Sequence, residues 1–205
     1  MPSGSNHDRI TLWSLPIVTG LSFGLLRSTH LTLFVSGGFL FSGLMFGPDL
    51  DIYSRQFQRW GWLKWLWRPY QKSLHHRSFL SHGPIIGTAL RLLYLLTWLS
   101  VLVVLGLIID QLLGLEGRTL EFVVGLWRSL SQHYPEVIAL LVGLEVGAMS
   151  HSVSDWSSSA YKRYKAKGLS GLLPEIKLQK RRRKSTRKSS SAKVVGSGSR
   201  YRSKK

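Results

Sequence analysis

Between Arg91 and Asp110 lies an unbroken run of eighteen uncharged residues, Leu92–Ile109, reading LLYLLTWLSVLVVLGLII. Such a run either disappears into the core of a soluble protein or crosses a lipid bilayer. Its length and purity meet the threshold for a transmembrane helix and argue against the soluble core. Once one span is accepted, three other apolar segments come into question. Thr11–Leu26 and Leu31–Phe46 each hold sixteen uncharged residues, and Val137–Met149 carries only Glu145. Sixteen helical residues reach about 24 Å, short of a hydrocarbon core of about 30 Å. Full spanning, half-buried packing and dipping into the bilayer therefore all stay open for these segments. Their glycines, among them Gly37, Gly38 and Gly43, suit close helix–helix approach. No cleavable signal peptide is expected, because His7, Asp8 and Arg9 precede the first apolar stretch and no clean small-residue cleavage site follows it.

Charge gives the orientation. The formal net charge is +18, yet 17 of the 28 Lys and Arg fall in residues 161–205, against a single acid, Glu175. The sequence therefore reads as an apolar body, 1–160, and a basic tail, 161–205. The tail has too few apolar residues to offset its ordering entropy and is expected to be disordered. It reads as a solvated tail, as a hold on anionic phospholipid headgroups, or, more weakly, as a nucleic-acid contact. The loop 50–81 is also basic, whereas 110–135 carries three acids against two arginines. The positive-inside rule then puts the loop, the tail and both termini in the cytoplasm and 110–135 outside. The expected fold is all-α: an integral membrane bundle of about four spans (11–26, 31–46, 84–109 and 137–150) in two hairpins. Leu120–Leu130 reads as a short external helix. Trp60, Trp62, Trp65 and Trp67, interleaved with Lys64 and Arg68, read as an interfacial belt.

This topology sorts the polar chemistry. His7 and Asp8 precede the first span, Asp49 and Asp51 follow the second, His75, His76 and His82 precede the third, and His151 and Asp155 follow the fourth. All fall at one membrane face, while Asp110, His30 and His133 fall at the other. The chain has no cysteine, so a metal would be held by imidazole and carboxylate, a donor set suited to Zn, Mn, Fe or Mg. Asp49 and Asp51 share a face if their segment is extended. His151 and Asp155, four residues apart, share a face if theirs is helical. Carboxylates crowded without a cation repel one another; a bound dication offsets that and makes a coordinated water acidic near neutral pH. Taken one at a time the clusters have plainer readings. PDLD after Gly47 can simply make a turn, and HRSFLSH can be a polar helix end.

The stretches PSGSNHDRITLWSLP, GLMFGPDLDIYSRQFQRWGWLKWLWRPYQ, HHRSFLSHGPIIGTALRLLYLL and MSHSVSDW resemble an uncharacterised family of metal-binding proteins common in cyanobacteria. Their skeleton is similar to a broader group of inner-membrane, metal-dependent hydrolases with a PDxD element, an HRxxxxH element and a late His followed by Asp. The resemblance implies metal binding by His7, Asp49, Asp51, His76, His82, His151 and Asp155, with one to three divalent ions in a bacterial inner or thylakoid membrane. Asp8 fits the HD pattern, and His75 is not required. The reaction this points to is hydrolysis of a phosphoester such as a lipid phosphate. His7 or Asp8 would complete the shell or act as general base, and Arg77 and Arg55 would neutralise phosphate charge. Ser78 and Ser81 would orient ligands. The competing expectation is a non-catalytic protein whose ions staple the span ends while the tail binds lipid or a partner.

Overall fold

The computed structural model describes residues 4–74, 78–115 and 117–168. His75, His76, Arg77 and Glu116 lie outside them. So does the tail from 169 onward, with the expectation that it is disordered. The described residues are helical, without strands: α1 (Gly4–Leu26), α2 (Thr29–Leu44), α3 (Arg55–Gln58), α4 (Arg68–Ser73), α5 (Phe79–His82), α6 (Ile86–Leu113), α7 (Arg118–Gln132) and α8 (Tyr134–Lys167). Two 3-10 turns, Pro48–Asp51 and Gly61–Trp67, join the set. Four helical stretches, running through α1, α2, α6 and α8, are long and apolar enough to cross a membrane, the second of them only when α2 is counted with the residues that follow it to Asp51. α8 continues through 161–167, so the first residues assigned to the tail extend the last helix.

The turn between α1 and α2 passes through Arg27 at φ 51° and ends on Ser28, whose hydroxyl accepts the Leu31 N–H at 3.4 Å. His30 beside this turn lies 3.5 Å from Glu136 in the first turn of α8. The α1–α2 turn and the start of α8 therefore share one end of the bundle. At the junction of α6 and α7, Gly114 and Gly117 take positive φ, and the Asp110 carboxylate accepts the Thr119 N–H at 2.7 Å, satisfying an otherwise unpaired donor at the start of α7.

α2 and α8 form the most extensive helix pair, and they meet backbone to backbone. A Cβ on Gly143 would sit 2.1 Å from the Val35 carbonyl oxygen, and one on Gly38 would sit 2.5 Å from that of Leu140. This is the close approach that small residues permit. α6 behaves in the opposite way. None of its most apolar eighteen residues is buried within the chain, and Leu102, Leu112 and Leu113 stand exposed along it.

The Trp-rich segment corrects the sequence reading. Trp62 and Trp65 are exposed, as an interfacial belt requires, but Trp67 is fully buried. Trp67 packs with Phe46, Leu50, Phe57 and Tyr70, and Trp60 lies against this core. The rings meet edge to face, with Trp60–Trp67 centroids at 5.1 Å and Phe46–Trp67 at 5.8 Å, an arrangement favoured by ring quadrupoles. The Trp60 indole N–H donates to the Met45 carbonyl at 2.9 Å. Two of these four tryptophans, Trp60 and Trp67, therefore belong to the core that holds the segment in place.

Candidate metal centre

The centre forms at the end of the bundle where α1 begins, α2 ends and α6 begins. α1 brings His7. One turn later the buried Thr11 hydroxyl donates to the His7 carbonyl at 3.0 Å. Thr11 also fixes how α1 sits on α2, since a Cβ on Gly43 would lie 2.5 Å from its methyl carbon. His7 is thereby turned inward and buried. Asp8, one position on, is rotated about 100° around the helix and faces outward. Its carboxylate takes both Arg59 Nη atoms, at 2.8 and 2.7 Å, and Arg55 Nη1 at 3.4 Å. Asp8, expected to complete the shell or serve as base, instead forms a paired fork with Arg59. Arg59 Nη1 also donates to the Leu44 carbonyl at 2.8 Å, tying the start of α1 to the end of α2.

Asp49 comes from the 3-10 turn Pro48–Asp51, the turn that PDLD allowed, and not from the extended form in which Asp49 and Asp51 would share a face. Proline at its first position pre-sets the backbone, and the Leu50 side chain is driven fully into the core. The Ser54 hydroxyl donates to the Asp49 carbonyl at 2.8 Å, and Gln71 Nε2 donates to the Leu50 and Ile52 carbonyls at 3.1 and 2.9 Å. Residues two apart in a 3-10 turn point in different directions. Asp49 turns to α8, while the buried Asp51 presents its charge toward Tyr70 and Arg91. Among the described residues Asp51 is in neither donor group.

His82 closes α5, and its Nδ1 lies 2.8 Å from the Ser81 hydroxyl, the orienting contact expected of Ser81. The loop behind it is pinned twice. Ser152 on α8 donates to the His82 carbonyl at 3.4 Å, and the buried Arg91 donates from Nη1 to the Ser81 carbonyl at 3.2 Å. Ile85, at φ 64°, holds a conformation costly for a β-branched residue. Its N–H donates to the Glu145 carboxylate at 2.8 Å.

α8 supplies His151 and Asp155 from one face, a turn apart. His7 Nε2 lies 3.3 Å from Asp155 Oδ1, and His151 Nε2 lies 3.3 Å from Asp49 Oδ2. The two imidazoles stack at 3.9 Å between centroids. Donor atoms within 4.8 Å of one another fall into two groups, His7–His151–Asp155 and Asp49–His82–Asp155, with Asp155 common to both. Burial raises the Asp49 carboxyl pKa, but the neighbouring His151 imidazole outweighs it, and that carboxyl is held below its ordinary range. The donors fit a divalent ion. They are nitrogen and oxygen only, and among the described residues the buried Nδ1 atoms of His7 and His151 have no hydrogen-bond partner. Buried imidazole and carboxylate groups held this close without a cation are costly, and a dication offsets that cost.

Of the residues expected in the site, the structure gathers His7, Asp49, His82, His151 and Asp155. His76 and Arg77 lie outside the described residues. The positioning residues Thr11, Arg59, Arg91 and Glu145 escaped the sequence reading. Three left a trace there: Thr11 falls one helical turn after His7, Arg91 borders the longest apolar run, and Glu145 is the one charge in Val137–Met149.

Residues 2–165 match the family described as uncharacterized metal-binding protein (DUF2227). An uncharacterized protein of Aquifex aeolicus (strain VF5) is 41% identical over 59 residues, which are 28% of this chain and 41% of that protein. No solved structure matches. The family match takes in all five gathered ligands and most of the chain, and the chain belongs to this metal-binding family.

Proposed function

We propose that the protein is a membrane-embedded, metal-dependent hydrolase of phosphoesters, with its centre on the cytoplasmic face of a bacterial inner or thylakoid membrane. The observation that carries this reading is the meeting of five donors from four separated segments as two groups sharing Asp155. Paired ions with a common carboxylate are a frequent solution to phosphoryl chemistry. A divalent ion held there supplies Lewis acidity toward a phosphoryl oxygen and makes water a nucleophile near neutral pH. His7, Asp49, His82, His151 and Asp155 hold the ions, and Ser81 aims His82. Asp8 positions His7 through Arg59. Arg55, more than half exposed, and Arg77 meet the substrate phosphate. The unburied apolar surface of α6 supports a lipid surround. The basic tail adds a hold on anionic headgroups.

A second reading has its own support. His7 and His151 are buried, as donors to a closed structural site are. The full chain in lipid nanodiscs, loaded separately with Zn, Mn, Fe or Mg, separates the two. Phosphate release from phosphatidic acid or p-nitrophenyl phosphate is expected with at least one metal. It should be abolished by chelator and by His82→Ala, and lowered about tenfold or more by Ser81→Ala. Metal-loaded, folded protein that releases phosphate from neither compound would favour the structural site.

A further inference from the structure

A cavity of about 220 Å3 opens directly beside His82. Its wall on α8 is a single stripe at helical spacing, Glu145, Ala148, Met149, Ser152, Val153 and Trp156. That stripe lies next to the face bearing His151 and Asp155. The polar groups around the cavity are engaged within the protein. Glu145 takes the Ile85 N–H, Ser152 donates to the His82 carbonyl, Ser81 meets the His82 ring, and Arg91 donates to Ser81 and Thr88. What the cavity offers an occupant is therefore mostly apolar. Met149, Val153 and Trp156 are exposed at its rim. α6, which brings Arg91 to the wall, touches α8 only sparsely, and both helices are apolar enough to span a bilayer.

We propose that this cavity seats the hydrocarbon chain of an amphiphilic phosphoester whose phosphate lies at the five donors. This rests on the hydrolase reading and narrows its substrate class to lipid-like phosphates. A site that bound only small hydrophilic phosphoesters would have no use for an apolar cavity walled by one of its own ligands. The charged head and the apolar chain are separated as the centre and the cavity are separated, with His82 at the boundary. Burial of a chain next to the reacting group raises turnover of long-chain substrates through binding energy that short ones lack.

The test compares dodecyl phosphate with ethyl phosphate on the full chain in nanodiscs, for wild type, Val153→Trp and Ala148→Phe. Val153→Trp is placed at the exposed rim so that blockage does not depend on repacking the core. Partition of dodecyl phosphate into the bilayer is the same for all three proteins, so the contrast between them isolates the cavity. Both substitutions are expected to lower kcat/KM for dodecyl phosphate by about tenfold or more, with ethyl phosphate turnover and metal content unchanged. Equal loss on both substrates, or no loss on either, would overturn the proposal while leaving the hydrolase reading standing. If wild type turns over neither substrate, the hydrolase reading falls. Binding of dodecylphosphonate, measured by native mass spectrometry, then decides the cavity: retention by wild type and loss in both variants supports the chain site, and absence of binding overturns it.

Discussion

Asp155→Ala is expected to strip metal from both donor groups at once. Each group has three donors, and Asp155 belongs to each; its removal leaves His7 with His151, and Asp49 with His82. Two protein donors hold a divalent ion poorly, and binding free energy at such a site is also folding free energy. Metal content per chain should fall about tenfold or more, and the folded protein should lose the thermal stabilisation that metal gives the wild type. His30→Gln is the matching control. Its imidazole lies at the other end of the bundle, 3.5 Å from Glu136, so the variant should retain its metal. If Asp155→Ala keeps full metal content, the shared-ligand geometry is wrong.

Gly143→Val should produce the largest loss of stability of any single change outside the centre. A Cβ at this position would lie 2.1 Å from the Val35 carbonyl oxygen and 3.0 Å from the Phe39 amide nitrogen. These are backbone atoms of α2, which cannot swing aside as a side-chain tip can. The helices must separate, and α8 moves with its two ligands. Overpacking of this kind costs about 3 kcal/mol or more, a drop of about 6–12 °C in Tm for a domain of this size. Gly37→Ala makes the comparison informative. A Cβ there meets nothing within 4 Å, so the variant should hold or slightly raise Tm, because alanine is the better helix former. Thermal unfolding of both in the same detergent, with metal content measured alongside, checks the pair. A Gly143→Val protein as stable as wild type would contradict the backbone contact.

The gathering of ligands could be read from sequence because two independent signals coincide. Apolar runs mark where the helices begin and end, and His and Asp at those ends are residues with few structural reasons to congregate. What could not be read was local direction. His7 and Asp8 are neighbours in sequence, and only the seating of Thr11 against Gly43 decides that the histidine faces inward. Asp8 finds its partner 51 residues away at Arg59, a pairing that no local pattern carries. PDLD suits an extended segment as well as a turn; Pro48 and the burial of Leu50 select the 3-10 form, and Asp51 is carried away from Asp49 as a result. The tryptophans mislead for a related reason. An interfacial belt and an aromatic core have the same composition, and burial alone separates Trp67 from Trp62. The glycines of α2 and α8 announced close packing, yet only the crossing itself shows that Gly143 is in contact and Gly37 is not.

Elemental mass spectrometry on the full chain, purified in mild detergent and repleted with metal, tests the shared centre most directly. Wild type would be measured beside His7→Ala/His151→Ala and Asp49→Ala/His82→Ala. The geometry predicts about two ions per chain in wild type and about one in each double variant, since each pair dismantles one group and leaves the other. Folded wild type that carries no metal after repletion would contradict the centre, and with it the chemistry proposed for the protein.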